Sequence, residues 1–100
     1  MKLTFSPLAK DDLIEIAVFI AHDNAKRALT FVDQLEDKCR ALAASPGIGT
    51  ARPELGSGVK MLAYGRYLIF YREVGKGIRI ERVMHGARDI GHGDLSGPEH

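Results

Sequence analysis

Residues 66–73, Arg66-Tyr67-Leu68-Ile69-Phe70-Tyr71-Arg72-Glu73, lie between Gly65 and the triplet Gly75-Lys76-Gly77. In an extended segment Tyr67, Ile69 and Tyr71 share one face, while Arg66, Leu68, Phe70 and Arg72 share the other. The stretch is therefore apolar on both sides near its middle, which predicts a central strand. The flanking glycines suit tight turns, so antiparallel partners are expected at Val59–Tyr64 and Ile78–His85, and the three strands form a meander. In the last of them Ile78 and Ile80 share a face but Val83 has the opposite parity. A bulge or strong twist near Glu81-Arg82 is the expected remedy.

Upstream, residues 45–58 (SPGIGTARPELGSG) hold four glycines and two prolines and predict an irregular crossing loop. Before it, Ala28, Val32, Leu35, Cys39 and Leu42 recur in steps of four and three, which predicts an amphipathic helix that Ser45-Pro46-Gly47 stops. Asp23-Asn24 caps that helix and ends an earlier one, because their short polar side chains satisfy backbone N–H groups and fit poorly inside a helix. The earlier helix starts at Ser6-Pro7, a capping serine before a proline preset for the first turn. It turns Leu13, Ile16, Ala17 and Ile20 inward, with Lys10, Asp11, Glu15 and His22 opposite. Ile14, Val18 and Phe19 widen the apolar face beyond one core stripe, so either the second helix or another chain must cover them. Lys2–Ser6 alternates as a short strand should. The fold class is α+β in the order β-α-α-β-β-β: a helical hairpin on one face of a small, mainly antiparallel sheet, the other face open.

The 100 residues are 45% apolar and 27% charged, with a net charge of +1, the composition of a globular domain rather than of a disordered, collagenous or membrane chain. One domain over residues 1–90 and a flexible tail over 91–100 are expected. The start MKLTFSPLAKDD lacks the apolar core of a signal peptide, and no apolar run approaches membrane-spanning length, so a cytoplasmic location with no membrane partner is the expectation. Cys39 is the one cysteine and sits on the helical apolar stripe, where it reads as core filling.

Charge is unevenly placed: residues 45–90 carry eight Lys and Arg against four Asp and Glu, whereas residues 1–44 carry six against seven. Arg52, Lys60, Arg66, Arg72, Arg79, Arg82 and Arg88 could hold an anionic partner on the open sheet face, with Tyr64, Tyr67 and Tyr71 adding stacking. The same arginines equally suit cross-strand pairing with Glu73, Glu81 and Asp89. His85, between Arg82 and Arg88, suits either a general base or a strand-end hydrogen bond. His85, Asp89, His92 and Asp94 have the residue types of a metal site, but Gly86, Gly91 and Gly93 argue against the helix it needs. No cofactor or metal is expected. Gly47-Ile48-Gly49 lacks both the preceding strand and the following Gly-Lys-Ser/Thr of a phosphate loop.

SPGIG closing the second helix, ARPEL after it, YGRYLIFYRE in the middle strand and IRIERVMHGARDI at the end resemble, in this order, the RelE/ParE superfamily of bacterial type II toxin-antitoxin toxins. The resemblance covers residues 1–90, and RVMHGARDI is closer to the ParE branch. It implies a growth-inhibiting toxin that stabilises plasmids, inhibits DNA gyrase and is neutralised by a ParD-like antitoxin in a hetero-oligomer. Direct DNA binding by the toxin alone is not expected. RelE-like toxins cut ribosome-bound mRNA with basic residues and a terminal tyrosine. That alternative would make His85 the base and Arg82 and Arg88 its phosphate partners, but residues 85–90 contain no tyrosine. The protein is otherwise read as an inhibitor that binds protein, not as an enzyme. Antitoxin contacts are expected at Ile14, Val18, Phe19, Arg66 and Arg79, and target contacts at Arg72, Arg82, His85 and Arg88.

Overall fold

The computed structural model describes residues 2–86. The elements are β1 (Lys2–Phe5), α1 (Pro7–Ala21), α2 (Ala25–Ala44), β2 (Thr50–Ala51), β3 (Lys60–Tyr64), β4 (Tyr67–Val74) and β5 (Gly77–His85), with single 3₁₀ turns at Pro46–Ile48 and Pro53–Leu55. The sheet order is β1-β5-β4-β3-β2; β1 runs parallel to β5 and every other pair is antiparallel. The expected strands stand within a residue of their predicted limits. The crossing loop, expected to be irregular throughout, also supplies β2, which pairs Thr50 with Met61 and Ala51 with Lys60.

Local chemistry explains the boundaries. The Ser6 hydroxyl accepts the Ala9 N–H at 3.0 Å and donates to the Glu81 carbonyl at 2.7 Å, so one side chain caps α1 and ties its start to β5. Asn24 caps α2 by accepting the Arg27 N–H at 2.9 Å. Both hairpin turns use glycines in the left-handed region, Gly65 and Gly75 at φ 59°. The bulge falls where parity required it. Phe70 faces Arg82 but Tyr71 faces Ile80, which leaves Glu81 as the extra residue on β5. Ile78, Ile80 and Val83 can then all reach the core beneath the helices.

That core joins Ile16, Phe31, Leu35, Cys39 and Leu42 to Ile69, Tyr71, Ile78, Ile80 and Val83. Phe31, not Val32, is the buried residue on this part of α2. The second face of the sheet is not left open as expected. Leu55 and Val59 fold over Phe70 and Met84, with Met61 and Leu68 beside them, as a second small core. A middle strand apolar on both sides demands it, since leaving a residue such as Phe70 in water forgoes roughly 2 kcal/mol.

The pairing of β1 with β5 stops at Phe5 and Ile80. Past that point no described strand pairs with this edge of β5, α1 runs alongside it, and the space between them holds the candidate site.

Candidate functional site

Asp12 links α1 to that edge. Its carboxylate accepts two hydrogen bonds from the Arg82 guanidinium, Nε to Oδ2 at 2.7 Å and Nη2 to Oδ1 at 2.9 Å, and a third from the Val83 backbone N–H at 3.0 Å. Both side chains are largely shielded from water, and the forked geometry is the one a buried carboxylate needs. Sequence reasoning did not single Asp12 out. The available signal was its position three residues after Ala9 and four before Ile16, on the buried stripe of α1, where a carboxylate requires a partner.

On the outer side of this link two open clefts follow α1. One, of about 240 Å³, lies between α1 and the end of β5 and is lined by Glu15, Ile16, Phe19, Tyr67, Val83, Met84 and His85 along with Asp12. The other, of about 410 Å³, is bordered by Leu8, Asp11, Ile14, Glu15 and Arg82. Ile14, Val18 and Phe19 are 62%, 56% and 70% exposed, so neither α2 nor the sheet covers them. Leu29 on α2 is equally open. Single exposed apolar residues are ordinary, but three within two turns of one helix, one of them lining an apolar cleft, are the kind of surface that a partner can cover.

The basic residues behave differently from the expectation of a free cationic face. Arg79 donates from Nε to Glu81 Oε2 at 2.9 Å, with Nη2 equally close, and Arg72 Nη1 lies 3.7 Å from the same oxygen. Lys60 pairs with Glu73 at 2.8 Å, Arg52 with Glu54, and Arg82 with Asp12. Cross-strand and i,i+2 neighbours on a pleated surface are close enough for this, and most of the expected positive surface is consumed internally. Arg66, exposed at the β3–β4 turn, makes no ion pair with a described residue.

The tyrosines are likewise occupied. Tyr71 is buried, its hydroxyl donating to the Pro46 carbonyl at 2.8 Å and accepting the Gly49 N–H at 2.9 Å. Tyr64 and Tyr67 pack on Phe31 with ring centroids 5.8 and 5.3 Å away. His85 meets the Tyr67 ring edge-on at 5.4 Å. Arg82 turns to α1, where Asp12 accepts its Nε and Nη2 hydrogen bonds. Arg88, Asp89, His92 and Asp94 lie outside the described residues, as does the expected tail over 91–100. Burial pushes the Cys39 thiol up to about 12, with Glu36 adding to the rise and Arg40 opposing it, so no thiolate forms there near neutral pH.

What the fold and clefts define is a small α+β protein with an open, partly apolar binding face along one helix. Comparison with known proteins supplies the rest. Residues 3–90 match the family of the ParE toxin of the type II toxin-antitoxin system parDE, and the chain belongs to that family. Toxin ParE1 of Mycobacterium tuberculosis, in strains CDC 1551 / Oshkosh and ATCC 25618 / H37Rv alike, is 39% identical over 67 residues, covering 59% of this chain and 68% of the relative. Among solved structures, a chain of the chromosomal ParDE TA system from P. aeruginosa has a TM-score of 0.70 at 25% identity, covering 85% of this chain and 95% of that one. The protein is the toxin of a type II toxin-antitoxin system, and these matches support the ParE reading, not the mRNA-cleaving alternative.

Proposed function

We propose that this toxin, a single domain over residues 1–90, inhibits DNA gyrase in the cytoplasm, stabilises plasmids that carry it, and is silenced by a ParD-like antitoxin whose segment lies along α1 and the neighbouring edge of β5. The single observation that carries the antitoxin surface is the joint exposure of Ile14, Val18 and Phe19 on α1, with Phe19 lining one cleft and Ile14 the other. A surface of this kind gains from being covered, at roughly 25 cal/mol per Å² of apolar area. The family resemblance and the ParDE likeness support a partner of this class. Of the residues read as target contacts, His85 and Arg88 keep that role in this proposal. Arg82 is reassigned to holding α1 against β5, because Asp12 occupies its fork, and Arg72, 3.7 Å from Glu81 and only 28% exposed, to the sheet surface.

The purified toxin is expected to block supercoiling of relaxed plasmid by gyrase at near-stoichiometric ratios, and prior mixing with its antitoxin should restore supercoiling. Unimpaired supercoiling at large excess of toxin contradicts gyrase as the target.

A further inference from the structure

The open face of α1 is not purely apolar. Glu15 borders both clefts, sharing one with Phe19, Tyr67 and His85 and the other with Leu8, Asp11 and Ile14. Asp11 and Glu15 are exposed, and neither makes an ion pair or hydrogen bond through its side chain with a described residue. Lys10, the base next to them in sequence, pairs with neither. Arg82 reaches the same cleft, but Asp12 engages its Nε and Nη2, so that pair is neutral as a unit. The groove therefore keeps two uncompensated carboxylates amid exposed apolar side chains, in a chain whose net charge is +1.

We infer that the antitoxin segment that fills this groove carries Lys or Arg side chains beside its apolar anchors, seated against Glu15 and Asp11, and that this charge match selects the cognate antitoxin. The inference rests on the antitoxin reading above. Covering these carboxylates with an apolar or acidic segment would strand charge in a drying interface, whereas a base placed there forms charge-assisted hydrogen bonds. Apolar anchors alone discriminate poorly among related segments of similar size, and a mismatched charge supplies the repulsive element that specificity requires.

The test uses the full chain and the product of the reading frame adjacent to its own, titrated by calorimetry at two salt concentrations. Glu15→Lys is expected to weaken binding by about tenfold, roughly 1.4 kcal/mol, and Glu15→Gln by less. Asp33→Lys, an equal charge change at an exposed α2 position outside both clefts, should have little effect. A Lys or Arg to Glu change in the partner should restore affinity to Glu15→Lys and weaken binding to the unaltered toxin. Equal effects of Glu15→Lys and Asp33→Lys, or unchanged affinity for Glu15→Lys, overturn the inference while leaving the antitoxin reading intact. If the unaltered toxin does not bind that product at all, the antitoxin reading falls and the inference with it. Glu15 is exposed on a helix, so the melting temperature of each variant should match that of the unaltered chain, which separates a binding effect from a folding one.

Discussion

Asp12 is a buried carboxylate that ties α1 to β5. Its carboxylate satisfies the Arg82 fork and the Val83 N–H together, at the point where β5 has lost its β1 neighbour. Removing it takes away the forked acceptor of a shielded guanidinium and the acceptor of the Val83 N–H. Asp12→Ala is expected to lower the unfolding free energy by about 3–5 kcal/mol, read from urea denaturation followed by circular dichroism. A loss below about 1 kcal/mol would mean that water or a neighbour compensates fully. The sequence shows half of this interaction. Asp12 lies on the buried stripe of α1, which announces a partner, but nothing local says that the partner is Arg82, since the two are 70 positions apart. Glu81 differs: its i,i+2 spacing already puts Arg79 on the same face of the strand, so this pairing was within reach of the sequence.

The segment from Ser45 to Val59 is the element least legible in advance. Its glycines and prolines identify a loop, but a loop has no period from which to read which side chains turn inward. Leu55 and Val59 do so and close the second face of the sheet. Tyr71 anchors the start of the segment through Pro46 and Gly49. A Cβ on Gly49 would overlap the Tyr71 hydroxyl and ring carbons, whereas a Cβ on Gly47 would meet nothing within 4 Å. Gly49→Ala is expected to cost about 1–3 kcal/mol through this overlap, lowering the melting temperature by at least about 4 °C in a domain of this size. Gly47→Ala should leave it near the unaltered value. Equal melting temperatures for the two variants would show that the loop can move off Tyr71 without penalty. The helices and β3–β5 were readable because their caps, turn glycines and periodicity all agree, from Ser6 and Asn24 to Gly65 and Gly75.

For the molecule as a whole, the charge pattern and the apolar pattern suggest different working faces. Composition favours the basic strands, but pairing along the sheet consumes most of their charge. Periodicity flagged Ile14, Val18 and Phe19 as surplus to one core stripe without saying whether they are covered. Folding decides it: α2 packs so that Phe31, Leu35 and Cys39 meet the sheet, and the outer face of α1 stays open. The partner surface proposed above accordingly lies along α1 and the end of β5. The most direct test is the affinity of the Ile14→Asp, Val18→Asp double variant for the antitoxin. Both positions are exposed, so the fold should survive, and binding is predicted to weaken by about a hundredfold or more because charge would be forced into an apolar interface. Undiminished affinity in a variant with an unchanged melting temperature would contradict that assignment.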